Sequence, residues 1–233
     1  MLPHIIGVAS LLTSVPLRPK TNPMGAIAFF FATLGSLFSV VNPLGAVPMY
    51  LTLTTDMTPR ERNSTARKTA TWFMLILVTF FFAGSFILDF FGISLNALRI
   101  AGGIIIVNSG FGLLNSKFEE RRMDDDMTSE AQESNDISFT PMAMPMLSGP
   151  GSISLLIGLF AEQSELVSLG LIVGVIVVMA LLIWLVLSIS PLLNRLLGRT
   201  GLSALSRIMG FLVMSIGIEM LLGGLVALVT SIL

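Results

Sequence analysis

Two clusters of proline and glycine, set in otherwise apolar sequence, are the residues best suited to bind a small polar molecule. One is Asn42-Pro43-Leu44-Gly45-Ala46-Val47-Pro48, and the other runs from Pro145 to Ser148-Gly149-Pro150-Gly151-Ser152. Proline removes a backbone N–H and clashes with the carbonyl one turn back, so neither run can continue a regular helix. A break leaves the first N–H groups of the following half-helix, and the last carbonyls of the preceding one, without helical partners. The N–H end, with the positive end of the helix dipole, suits a carboxylate. Exposed carbonyls suit an ammonium group, and a zwitterionic amino acid presents both. Asn42, Ser148 and Ser152 can add side-chain hydrogen bonds, while Gly149 and Gly151 leave little room for a large substrate side chain. The predicted substrate-binding set is therefore Asn42, Pro43, Gly45, Pro48, Pro145, Ser148, Gly149, Pro150, Gly151 and Ser152.

Other chemistries lack their residues. The chain has no Cys and one His, His4. Disulfides, thiol catalysis and His- or Cys-based metal sites are excluded. No Gly-rich phosphate loop with a Lys is present. Neither enzymatic activity nor a cofactor is expected, and a net charge of −1 points to no nucleic-acid partner. Glu219 stands 12 residues after Arg207, about 18 Å along a helix and so near mid-membrane. It reads either as a coupling site, for a proton or Na+, or as a hydrogen-bonded structural acid. Arg99 and Arg207, at opposite membrane faces, read as snorkelling anchors or as gating, carboxylate-binding groups. Asn108, deep in a span, reads as an interhelical hydrogen bonder.

The elements that must position these residues are membrane spans. The chain is 54% hydrophobic and 12% charged, with mean hydropathy +0.89. Soluble domains carry roughly 25% charged residues. A span needs about 20 mainly apolar residues. Six runs qualify: Met24–Leu53, Ala70–Phe91, Ile93–Leu114, Ile137–Ala161, Leu166–Ser190 and Ile208–Leu233. Residues 1–23 read as a tail, and 115–136 as an acidic, solvated linker. With six crossings, Arg60, Arg62, Arg67, Lys68, Lys117, Arg121, Arg122, Arg195 and Arg199 share one side, which marks it as cytoplasmic. Both termini are then extracytoplasmic.

The chain also repeats. Pro43 and Pro150 lie 107 positions apart, as do Leu95-Asn96-Ala97-Leu98 and Leu202-Ser203-Ala204-Leu205. Arg99-Ile100-Ala101-Gly102 and Arg207-Ile208-Met209-Gly210 lie 108 apart. Three spans per half make the repeat inverted, an arrangement of secondary transporters whose broken helices mark the substrate site. The expected units are residues 24–114 and 137–233. Gly103 and Gly110, and Gly210, Gly217 and Gly224, recur every seven residues, and Gly170 and Gly174 form a small-xxx-small pair. All predict close helix packing.

The motifs Asn42–Pro48, Phe91-Gly92-Ile93-Ser94 through Leu98–Ile104, Pro141–Pro145 through Gly149–Ile153, and Ser206–Gly210 through Gly217-Ile218-Glu219 resemble the MarC family, from about residue 24 to the end. The resemblance implies a six-span protein of the bacterial inner membrane, of a family classed as neutral amino acid transporters. The expected fold is an all-α polytopic membrane protein: six transmembrane helices as two inverted three-helix repeats, with helices one and four broken. The expected function is secondary transport of a small neutral amino acid or similar solute, one half rocking against the other. The alternatives are an exporter of larger or amphipathic compounds and a non-transporting scaffold subunit. The bilayer is the expected environment, and a homo-oligomer is compatible with the sequence.

Overall fold

A computed structural model describes residues 23–115, 136–163 and 165–232. The predicted tail, and most of the predicted linker with Lys117, Arg121 and Arg122, lie outside the described residues. Every regular element among the described residues is helical. In chain order they are α1 (Pro23–Val41), α2 (Val47–Leu53), α3 (Pro59–Phe91), α4 (Leu95–Leu114), the irregular α5 (Ser138–Leu147), α6 (Pro150–Glu162), α7 (Leu166–Ser188) and α8 (Ser190–Ile232).

Local chemistry sets the ends. Thr58 and Glu61 form a reciprocal capping box at the start of α3, with Pro59 in the first turn, where its missing N–H costs nothing. At 33 residues, α3 is about 50 Å long. Its basic first third therefore projects beyond a hydrocarbon layer of roughly 30 Å. Gly92 ends α3 at φ 64°, a conformation glycine adopts without steric cost. Ser94 then caps α4, its Oγ accepting the Ala97 N–H at 3.1 Å. Gly198, at φ 62°, interrupts α8. These two left-handed glycines stand 106 positions apart, close to the repeat offset.

Five helical stretches are long and apolar enough to cross a membrane: Met24–Val41, Pro59–Phe91, Leu95–Leu114, Leu166–Ser188 and Thr200–Ser231. Ser138–Leu147 and Pro150–Ala161 make a sixth crossing if the pair, bent by 62°, is one span. The chain is an all-α polytopic membrane protein.

Helices α4 and α8 meet glycine to glycine. A β-carbon on Gly103 would stand 2.7 Å from the Gly217 carbonyl oxygen, and one on Gly110 would stand 2.8 Å from that of Gly210. Gly103 meets Gly217 and Gly110 meets Gly210, so the two helices run antiparallel along this seam.

The packing revises one expectation. Apart from α7 with α8, the substantial helix contacts all cross between the halves: α3 with α5, α6 and α7, α4 with α6 and α8, α1 with α6, α7 and α8, and α2 with α7 and α8. Interlocked halves cannot rock as separate bodies. The main buried core instead draws on α1, α2, α3, α5, α6 and α7, with no residue from α4 or α8. The glycine-sealed α4–α8 pair lies outside that core, with α4 packed on α6 and α8 on α1 and α2. Gly170 and Gly174 do not pack closely: a β-carbon on Gly170 would meet nothing within 4 Å, and one on Gly174 only Phe30 at 3.7 Å.

Candidate functional site

The first break is built by Asn42. Its φ of 46° is left-handed, a region asparagine tolerates better than most residues. Its N–H still donates to the Phe38 carbonyl at 2.9 Å, and its Oδ1 accepts the Gly45 N–H at 3.2 Å. A β-carbon at 45 would fall 2.3 Å from Asn42 Nδ2, so any other residue there displaces the Asn42 side chain. Pro43 has no N–H to give the Ser39 carbonyl, so that oxygen loses its helical partner. Asn42, Pro43 and Ser39 are buried, whereas Pro48 is exposed.

The second break is built by prolines. Thr140 and Met144 are extended inside α5, as residues before proline prefer, and the Thr140–Pro141 and Met144–Pro145 peptides are cis. The chain leaves α5 at Ser148, whose N–H donates to the Ala143 carbonyl at 2.8 Å. It enters α6 at Pro150, with Gly149 as an N-cap that supplies no side-chain hydrogen bond. The N–H groups of Gly151 and Ser152, in the first turn, therefore have no helical acceptor. Ser152 Oγ turns back to donate to the Gly149 carbonyl at 2.9 Å. Ser148 Oγ is fully buried with no hydrogen-bond partner. An unpaired buried hydroxyl costs about 1–3 kcal/mol; among the described residues Thr69, Ser168 and Ser190 carry buried hydroxyls in the same state.

The two breaks adjoin. A β-carbon on Gly151 would lie 2.9 Å from Ile106 Cγ1 and 3.6 Å from Val40 Cγ1, two residues before Asn42. Gly102 of α4 likewise faces Ser154, with Met220 of α8 beside it. Asn42, Pro43 and Gly45 form the first break and Ser148, Gly149, Gly151 and Ser152 the second, and the approach between them runs through Val40 and Gly151. Pro145 and Pro150 belong to the second break by sequence, but both are exposed on its outside. The carbonyl of Ser39 and the close approach of Ile106 were not anticipated. Only the fourth position before Pro43 could have flagged Ser39, and Ile106 carries no sequence signal.

The predicted coupling and gating residues are not gathered here. Asn108, Arg207 and Glu219 are exposed, and Arg99 is half-buried near the far end of α4. Glycines 103 and 110 occupy the α4–α8 seam and turn Asn108 outward, away from the other described helices. Among the described residues no group of three or more His, Cys, Asp or Glu could hold a metal ion.

On the basic side, Arg62 is structural. Its Nε donates to Thr54 Oγ1 at 3.2 Å and its Nη2 to the Thr54 carbonyl at 2.9 Å. The fully buried Tyr50 donates its hydroxyl to the Arg62 carbonyl. These bonds pin α2 to the start of α3 and hold the first break from below.

Known proteins resemble this chain over nearly all of its described length. Residues 27–229 match the pattern of the MarC family integral membrane proteins. A UPF0056 membrane protein of Buchnera aphidicola subsp. Baizongia pistaciae is 36% identical over 208 residues, covering 86% of this chain and 92% of the relative. One from Methanocaldococcus jannaschii is 34% identical over 200 residues, covering 85% and 97%. The UPF0056 inner membrane protein MarC of Escherichia coli O1:K1 / APEC is 32% identical over 211 residues, covering 84% and 93%. No solved structure matches. With a family match spanning residues 27–229 and several relatives above 30% identity, the chain belongs to the MarC family of integral membrane proteins.

Proposed function

We propose that this chain is a secondary transporter of a small neutral amino acid or similar small solute, working by alternating access in the bacterial inner membrane with both termini outside. The observation that carries this reading is the meeting of two opposite helix ends. The N-terminus of α6 offers the Gly151 and Ser152 N–H groups and the unpaired Ser148 hydroxyl. The C-terminal end of α1 offers the Ser39 carbonyl, released by Pro43. Val40 beside Gly151 joins the two. A carboxylate binds at the first end and an ammonium group at the second. The close approach of Ile106 and Val40 keeps the substrate side chain small.

Alternating access then follows the packing. The α4–α8 pair carries Ile106 against Gly151 of the second break, so its displacement from the body of the protein opens the site. Asn42, Ser148 and Ser152 are buried, which on this reading corresponds to a closed conformation. The inner membrane location rests on the name of the Escherichia coli relative and on the positive side of the chain.

The same burial favours a second reading, a membrane subunit whose breaks are packed and never open. Flux of labelled alanine, glycine and serine into proteoliposomes separates the two. Transport predicts flux that falls from glycine and alanine to bulkier amino acids. Flux equal to that of protein-free vesicles for all three would favour the subunit.

A further inference from the structure

A groove of about 310 Å³ lies on the surface between α3 and α7, and none of its lining residues belongs to either break. Its lining residues on α3 run from Arg67 to Met74 at i, i+3, i+4 and i+7, and those on α7 from Val177 to Trp184 at the same spacing. Each wall is therefore one helical stripe, and the groove runs about 10 Å along the helices. The walls are apolar except at one end, where Arg67, Thr71 and Trp184 stand. Trp184 Nε1 donates to Asn63 Oδ1 at 3.1 Å, and Ser188 Oγ donates to the same oxygen at 2.8 Å. These bonds hold the indole as a fixed wall. Thr71 Oγ1 is occupied by the Arg67 carbonyl at 2.9 Å.

Among the described residues no acid forms an ion pair with Arg67: Glu61 caps α3 through Thr58, and Asp136 pairs with Lys68 at 4.0 Å. Arg67 is exposed beside the groove mouth, at the basic end of α3. An apolar slot open to the bilayer, headed by a guanidinium and an indole, matches a lipid with an acyl chain and an anionic headgroup. Guanidinium groups bind phosphate oxygens in a bidentate fork, and indoles favour the membrane interface.

We propose that this groove binds one anionic phospholipid, its phosphate on Arg67 and one acyl chain along the slot from Trp184 towards Met74 and Val177. The lipid ties the membrane-spanning part of α3 to α7, the helices that share the main core, and leaves the α4–α8 pair free. The proposal does not depend on what the protein transports.

The chain has two tryptophans, so Trp72→Phe leaves Trp184 as the sole reporter. The full chain carrying this change is reconstituted in phosphatidylcholine vesicles. Phosphatidylglycerol or phosphatidylcholine, brominated in the upper acyl chain, is then added at equal mole fractions. Phosphatidylglycerol should quench Trp184 at lower mole fraction, and Arg67→Gln should reduce that preference roughly fivefold, the scale of one basic residue near an anionic surface. Equal quenching by the two lipids, or a preference unchanged by Arg67→Gln, overturns the proposal. Native mass spectrometry of the protein with its own tryptophans gives an independent reading. Retained phosphatidylglycerol should exceed phosphatidylcholine and fall in Arg67→Gln, and equal retention again overturns it.

Discussion

Gly103 and Gly217 occupy each other's side-chain space: a β-carbon on Gly103 would stand 2.7 Å from the Gly217 carbonyl oxygen, and one on Gly217 would stand 2.9 Å from that of Gly103. Backbone cannot yield as a side-chain tip can. Gly103→Ala should therefore push α4 from α8 and destabilise the protein by about 1–3 kcal/mol, the usual range for overpacking. Gly170→Ala, with nothing within 4 Å of its β-carbon, is the control. Thermal unfolding in detergent should show a lower Tm for the first and no loss for the second.

Gly151 tests the junction of the breaks. Its β-carbon would meet Ile106 Cγ1 at 2.9 Å, a side-chain contact that can shift. Gly151→Ala should fold but transport more slowly, with the larger substrates lost first. Gly151→Val should abolish flux. Labelled serine and glycine counterflow, measured in parallel, would show the glycine-to-serine ratio rising in Gly151→Ala, and an unchanged ratio would count against a substrate at this position.

Much of this arrangement was legible before any coordinates. Pro43 and Pro150 announced both breaks, because a missing N–H acts wherever the fold places it. The seven-residue glycine spacing announced the α4–α8 seam. The interlocking of the halves was not legible, since apolar faces in a membrane do not name their partners. Gly170 and Gly174 misled for the same reason. The two prolines also act differently than their alignment suggests. Pro43 follows a helix that has ended at Val41, whereas Pro150 starts one. Burial could not be read for Asn108 and Glu219, because polarity gives depth along a helix but not its facing.

Glu219 is exposed on α8, away from the breaks. Glu219→Gln should leave alanine flux, and its response to a pH step, within experimental error of the unaltered protein. A pH response lost in this variant would restore Glu219 as a coupling site.

Asp136 lies outside the spans, at the last position before the second half. Burial alone raises its pKa, but hydrogen bonds from the Ser138 side chain and backbone, with Lys68 nearby, together hold it below the ordinary aspartate value. A depressed folded-state pKa contributes stability above the unfolded pKa, and that contribution fades as pH falls through the folded one. Asp136→Asn should lower Tm slightly at neutral pH and converge with the unaltered protein in acid. The effect is small, as expected for a half-exposed pair. A constant Tm difference across the titration would contradict it.

Ser148 tests the central claim most directly. Its hydroxyl is buried without a partner, so in a purely structural role its loss is neutral or slightly stabilising. If it binds substrate, Ser148→Ala should leave Tm unchanged or raised and weaken the apparent affinity for alanine about three- to tenfold, the value of one hydrogen bond. Alanine concentration dependence of counterflow in proteoliposomes, with Tm measured on the same preparations, decides it. A raised KM at unchanged Tm is the predicted result, and an unchanged KM would contradict a substrate site at the two breaks.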